Sequence, residues 1–425
     1  MFRPQLLREF GAQVPFAAEA DVEHLTKNLL KDALRERATD IHLEPERYGC
    51  RIRLRIDGVL FDAFRLGSDQ QHRLLNQIRS MAGLDPGSAF QPRQGRQTYE
   101  LSGRPIDMRI TTIPCLTGEK IVVRLLDPER VQHRIERLGL NEVKLSTLQE
   151  WITDSTGMFL VTGPTGAGKT TTLYTLLREL NAAHRSVVSI EDPVEYELPG
   201  ITQIQVDERH GLTFAAGLRA MLRLDPDLLL MGEIRDNDSA RVAVDAAESG
   251  RVLLATMHSP DAVAAIAALR GWGVLDHEIA STLQVVVAQR LVRTLCEHCG
   301  RLEAPTDDER MWLQSARLAT PEAVGRAVGC EHCLGVGYTG RTGVFELWRL
   351  EDDDCQRILE HASERELWHA LTARGHGSLL SNGMIKVAAG LTTLEELRAN
   401  VGMPGSRRTG NPAQHSAAAT ESTAG

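Results

Sequence analysis

Gly163-Pro164-Thr165-Gly166-Ala167-Gly168-Lys169-Thr170, continued by Thr171, sets glycines, a lysine and hydroxyls at the spacing of a phosphate-holding loop. An apolar run, Met158 to Val161, enters it and a helical pattern leaves it. The glycines allow main-chain N–H groups to turn inward on phosphate oxygens, and the following helix adds its positive end. Lys169 supplies a point charge for β- and γ-phosphates, and the Thr170 hydroxyl a hard ligand for Mg²⁺. These residues point to a bound nucleoside triphosphate.

Hydrolysis needs acids and further cations. The apolar run Leu228 to Gly232 ends in Glu233, where a nucleotide-binding sheet places the acid that holds Mg²⁺ through water or polarises the attacking water. Without the phosphate loop such a run would read as a plain core strand. Glu191-Asp192-Pro193-Val194-Glu195 sets three carboxylates past the strand Val187 to Ile190, either to orient water or as an acidic solvated loop. His258 closes the strand Val252 to Met257 at the same sheet edge, as a structural histidine or a sensor of ATP versus ADP. Arg109 and Arg124 lie on strands ahead of the loop. Each reads as a solvated face residue or as a cation brought to the phosphoryl oxygens by another domain or a neighbouring subunit.

A separate chemistry is carried by Cys296-Glu297-His298-Cys299 and Cys330-Glu331-His332-Cys333, two C-x-x-C pairs separated by thirty residues. Four thiolates from Cys296, Cys299, Cys330 and Cys333 suit a closed structural Zn²⁺ site, with His298 and His332 as rival ligands and a redox role as the lesser alternative. The segment between the pairs is expected to be a small helical excursion. Cys50, Cys115 and Cys355 stand alone and read as buried thiols.

The elements that position these groups fall into two units. Residues 19–126, after a lead at 1–18, mix helical periodicity (Val22, Leu25, Leu29, Leu30, Leu34) with strands such as Arg51 to Ile56, which alternates basic and apolar residues. Residues 127–141 read as a charged, irregular linker. From 142 to 403 strand and helix alternate, which predicts a parallel sheet covered on both faces, with its ligand at the carboxyl ends of the strands. Ile201 to Val206 reads as an exposed or edge strand. The tail, 404–425, is rich in Ser, Thr, Ala and Gly and is expected to be disordered. Net charge of −9, from 48 basic and 57 acidic residues, and 4% aromatics argue against a nucleic-acid channel. No apolar run has the length of a membrane span, so a cytoplasmic location is expected.

Gly163 to Tyr174, Ile190 to Tyr196, Gly200 to Gln205, Leu212 to Arg235 and Gln289 to Arg293 together resemble the ATPases of type II secretion and type IV pilus assembly, and the likeness runs from about Ala38 to Val401. The resemblance implies a homo-hexameric motor with a RecA-like ATPase domain, a sensor-like N-terminal domain and a zinc element at 296–333. It would hydrolyse ATP with Mg²⁺ and sit peripherally on the inner membrane through platform and docking proteins. It also implies that Glu195, Glu233, His258, Arg109 and Arg124 surround the nucleotide. The chain departs from the family pattern at Glu248-Ser249-Gly250-Arg251 and at Ser259-Pro260, which the resemblance assigns to coupling the γ-phosphate sensor to the next helix. A RecA-like nucleic-acid translocase and a nucleotide-gated scaffold with weak hydrolysis are the alternative readings.

Overall fold

The computed structural model describes residues 22–84, 91–101, 103–127, 134–181 and 184–402. The lead at 1–18 and the tail at 404–425 lie outside the described residues, as does part of the expected linker. The first unit runs α1 (Val22–Arg35), β1 (Ala38–Glu46), β2 (Gly49–Ile56), β3 (Val59–Gly67), α2 (Ser68–Met81), β4 (Arg93–Leu101), β5 (Arg104–Cys115) and β6 (Gly118–Leu126). Its six strands form an antiparallel sheet in the order β3-β2-β1-β6-β5-β4. Leu29, Leu30 and Ala33 of α1 and Leu74, Leu75 and Ile78 of α2 pack with Ile41, Leu43, Ile52 and Leu54 on one face. Strand period then sends Asp40, Glu44, Arg53 and Arg55 to the other. That face carries ion pairs, Arg53 to Glu44 at 2.6 Å and Arg124 to Asp40 at 3.0 Å.

The second unit begins with α3 (Glu142–Thr153) and continues with β7 (Met158–Thr162), α4 (Lys169–Leu180), β8 (Val187–Glu191), β9 (Thr202–Gln205), α5 (Phe214–Met221), β10 (Leu228–Met231), α6 (Asn237–Glu248) and β11 (Val252–Met257). It proceeds through α7 (Ala262–Gly271), α8 (Asp276–Thr282), β12 (Leu283–Leu295), β13 (Arg301–Glu303), α9 (Asp307–Ser315), β14 (Val324–Arg326) and β15 (Tyr338–Arg349). Four helices end it: α10 (Asp352–Leu359), α11 (Glu364–Ala373), α12 (Leu379–Ala388) and α13 (Leu394–Val401). Seven strands order as β15-β12-β7-β11-β10-β8-β9. All neighbours are parallel except β12 and β15. Successive residues of β7 feed two cores: Met158 and Leu160 face α5, α6 and α7, while Phe159 and Val161 face α4 and Trp151 of α3.

Several expectations are corrected. The sheet is not wholly parallel, because β15 returns along β12 as an antiparallel edge that a strand-helix alternation does not announce. The described end of the expected linker is not irregular surface: Ile135 and Leu138 are buried in the second unit's core. Cys50 is buried and Cys355 partly so, but Cys115 is exposed at the end of β5. Among the described residues no helix is long and apolar enough to cross a membrane.

Gly49 opens β2 at φ +151°, where a Cβ would lie 1.9 Å from the Leu66 carbonyl oxygen of the paired strand. Gly49→Ala is therefore expected to lower stability by about 1–3 kcal/mol. Urea unfolding would read it as a lower midpoint with an unchanged slope.

Candidate functional site

The phosphate loop joins β7 to α4, with Gly166 at φ +79° and Gly168 at φ +87°. Gln289 on β12 explains two of its glycines. A Cβ at Gly163 would stand 2.5 Å from the Gln289 carbonyl oxygen, and one at Gly168 would stand 2.9 Å from Gln289 Nε2. The same buried amide accepts from Thr172 Oγ1 at 2.7 Å, fixing α4 to the neighbouring strand. Loop and helix are thus shaped for a ligand before one arrives.

Lys169 Nζ donates to the carbonyl oxygens of Gly163 (2.7 Å) and Pro164 (3.3 Å) and stands 3.3 Å from His258 Nδ1. Burial pushes this ammonium down to about 8; Glu233 pulls against that and Arg290 adds to it. His258, directly after β11, places Nδ1 3.0 Å from the Gly163 carbonyl and Nε2 2.7 Å from Glu233 Oε1. The other Glu233 oxygen accepts from Arg235 Nε at 2.6 Å, and Arg235 reaches Asp192 at 3.2 Å. Glu233 follows β10, the strand beyond β11, so acid, imidazole and lysine end three adjacent strands of one sheet edge.

The acidic segment after β8 splits in two. Glu191 is buried and accepts from the Tyr174 hydroxyl, from Ser189 Oγ at 2.8 Å and from Gln203 Nε2 at 3.1 Å. Burial raises its carboxyl above the usual range, although those three donors pull it back. Glu195 is more open and lies 3.5 Å from Arg109 Nη1. Arg109 also donates to the Val194 carbonyl. A cleft of about 940 Å³ takes in the loop from Pro164 to Thr171 together with Tyr174, Glu191, Asp192, Glu195, Glu233, His258 and, from the first unit, Arg55, Asp57 and Arg124. Arg124 thus faces the cleft, whereas Arg109 stands behind it and braces the acidic segment.

Tyr174, Gln203, Arg235 and Gln289 were not singled out by sequence. Gln289 left one signal, a polar residue inside an apolar strand. Arg235 follows Glu233 by two positions. Glu248-Ser249-Gly250-Arg251 precedes β11 and therefore lies at the opposite end of that strand from His258, about 20 Å away at strand rise. There Arg251 donates to the Pro226 carbonyl at 3.0 Å. This corrects its expected part in coupling the sensor, which leaves Ser259-Pro260 as the departure beside the site.

The four expected cysteines converge. Sγ distances are 3.9 Å for Cys296 to Cys330, 3.7 Å for Cys299 to Cys333 and 3.8 Å for Cys330 to Cys333. Zn–S bonds of about 2.3 Å in tetrahedral geometry require S–S edges of about 3.8 Å. The Cys330 and Gly337 amides each stand 3.1 Å from Cys333 Sγ, as donors to a thiolate. The set is compatible with zinc. The excursion between the pairs carries α9, as expected, and also the two-stranded β13-β14 ribbon.

A glycine-rich phosphate loop beside a parallel sheet, with an acid two strands away across the sheet, defines a RecA-like P-loop NTPase fold. The family model described as "Type II/IV secretion system protein" matches residues 16–399, and the chain belongs to that family. It is 42% identical over 378 residues to the type II secretion system protein HxcR of Pseudomonas aeruginosa, covering 89% of this chain and 77% of that protein. It is 37% identical to the type IV pilus assembly ATPase PilB of Thermus thermophilus, covering 91% of this chain and 44% of that one. Among solved structures, the Legionella pneumophila ATPase DotB has a similar fold, at TM-score 0.66 and 20% identity over 88% of this chain and 94% of its own. The pilus retraction motor PilT with bound ADP gives TM-score 0.61 and 22% identity over 88% and 96%.

Two outcomes are expected. A bound polyphosphate favours charged Lys169, so affinity for ATP is full below about pH 8 and weakens as pH rises beyond it, at most about tenfold per unit. Calorimetric titration from pH 7 to 9.5, in buffers of different ionisation enthalpy, would show proton uptake on binding above pH 8; a flat affinity would contradict this. Elemental analysis of chain purified without chelator should find about one zinc, and replacing Cys299 and Cys333 by Ser should abolish it.

Proposed function

We propose that this chain is a motor ATPase that hydrolyses ATP with Mg²⁺ to power assembly of a type II secretion pseudopilus or a type IV pilus. The arrangement that carries the reading is Glu233 bridged between His258 and Arg235 at the mouth of a phosphate loop whose lysine already stands beside that histidine. An acid held by two basic groups is oriented rather than free, as an acid that must direct water or Mg²⁺ has to be. Curated relatives named as secretion and pilus-assembly proteins match most of this chain.

In this reading the loop from Gly163 to Thr171 binds the triphosphate, Thr170 ligates Mg²⁺ and Glu233 polarises the water. His258 contacts the γ-phosphate, Glu195 helps to orient the nucleophile, and Arg124 faces the transferring group. Arg109 reaches that group only if its contacts with Val194 and Glu195 give way. The chain works as a homo-hexamer, cytoplasmic and peripheral to the inner membrane through platform and docking proteins. Cys296, Cys299, Cys330 and Cys333 hold a structural Zn²⁺ ion. The units divide as a sensor-like domain to about residue 126 and the ATPase domain from about 142. Nothing in the cleft or the relatives supports a nucleic-acid translocase.

Phosphate release and nucleotide binding test the reading together. Lys169→Ala should lose ATP binding. Glu233→Gln should keep it and slow turnover by about 10² to 10³. A wild-type chain no faster than Glu233→Gln would sink the motor.

A further inference from the structure

Glu346 stands in the middle of β15 and is 1% exposed, yet no part of the chemistry above uses it. Its Oε1 accepts the backbone N–H of Ala262 at 2.8 Å, and the amide of Leu379 also favours its charged form. Those are the first residues of α7 and α12, so one buried acid takes an orphan amide from the N-terminus of α7 and its charge is favoured by that of α12. α7 is the helix that follows His258. Between them, Ser259 N donates to Thr162 Oγ1 at 2.6 Å, Thr162 Oγ1 donates to Ser259 O at 2.9 Å, and Arg290 Nη2 donates to the Pro260 carbonyl at 2.7 Å. Asp261 caps the helix through Ala264 N at 2.8 Å.

The connection from His258 to α7 is thus pinned at each residue, and Glu346 is the pin at its far end. We propose that Glu346 is a positioning residue for His258: by holding the start of α7 it fixes the short tether that sets the imidazole against Gly163, Lys169 and Glu233. The inference rests on the reading of His258 as the γ-phosphate contact. Burial first, with Asp261 in addition, pushes the Glu346 carboxyl up to about 7, while the two amides and Lys144 oppose that rise. Arg290 faces the same carboxylate. A residue kept so far from its preferred solvent, where an apolar side chain of similar size would be cheaper to bury, is retained for direction rather than for stability. Hydrophobic contact alone would let α7 slide or turn on the sheet. The bond from Ala262 N to Glu346 does not.

The readout is the ratio of affinities for ATPγS and ADP, measured by calorimetry on the full chain, because that ratio reports γ-phosphate contact without any need for turnover. His258→Ala serves as reference. Glu346→Ala is expected to lose about tenfold of the wild-type preference for ATPγS, as His258→Ala does, with ADP affinity within about twofold of wild type. Glu346→Met keeps the length of the side chain without an acceptor and should lose about the same. Should Glu346→Ala fail to show a normal melting transition, Glu346→Met carries the test. A folded Glu346 variant with the wild-type ratio overturns the inference, as does equal loss of ADP and ATPγS affinity, or a ratio that His258→Ala leaves unchanged. A chain that shows the expected ratios but releases no phosphate would sink the motor and leave this role of Glu346 standing.

Discussion

Arg235, Glu233, His258 and Lys169 form one line of charge and hydrogen bonding across three strand ends, and the rest of the second unit exists to keep those ends in register. Lys169 and Glu233 are partly buried, so they rely on these partners more than the exposed Arg235 and His258 do. Lys169 spends its donors on the loop's own carbonyls, Gly163 and Pro164. A phosphate oxygen is the stronger acceptor because it carries charge, and charge-assisted bonds are about twice as strong as neutral ones. In the proposed reading ligand binding exchanges bonds at a lysine already aimed, and that exchange brings the terminal phosphate to the imidazole beside it.

What holds the strand ends in register is packing below them and a few directed polar contacts between them. Leu228 to Met231 and Val252 to Met257 are wholly buried, as parallel strands covered on both faces must be. β11 lies between β7 and β10, and this places His258 between the lysine and the acid. Gln289 and Glu346, from the two strands on the other side of β7, then fix the loop's glycines and the helix after His258. The first unit contributes Arg124 and Arg55 to the cleft from the polar face of its own sheet. Gly340 N donates to Asp57 at 2.7 Å and so joins the two units at the hairpin tip.

The phosphate loop, the acid after β10, the histidine after β11 and the four cysteines were legible because each combines a residue type with a fixed spacing and a flanking element. The loop in particular gains specificity once a strand enters it and a helix leaves it. β12 and β15 were less legible. Gln289 and Arg290 interrupt the apolar pattern of β12, and β15 is an edge strand whose partner lies far back in the chain. Register and direction are tertiary properties, so composition could suggest strands there and not the antiparallel return. Arginine roles were open for the same reason. Arg109 and Arg124 occupy directly opposed positions on β5 and β6, yet one braces Val194 and Glu195 while the other reaches the cleft. Spacing gives no way to tell them apart, because the difference lies in what the second unit presents to each.

The two buried acids of the second unit's sheet show what polar residues add to an apolar core. Glu191 is 4% exposed and held by a phenol, a hydroxyl and an amide, and Glu346 is 1% exposed and held by the Ala262 N–H, with the Leu379 amide favouring its charge. Burial raises both carboxyls above their usual range, which means that each is a cost to the folded chain in its charged form. Apolar packing fills volume without fixing direction, and a nucleotide site needs direction at its rim. Each acid ties a strand to an element that apolar contact would leave free to shift: β8 to α4 and β9 for Glu191, and for Glu346 β15 to α7 through a hydrogen bond and to α12 through the pull of its first amide on the charge. Both pairs of ties border the segments that carry Glu195 and His258. The costly groups therefore lie where a displacement would separate the side chains around the phosphate.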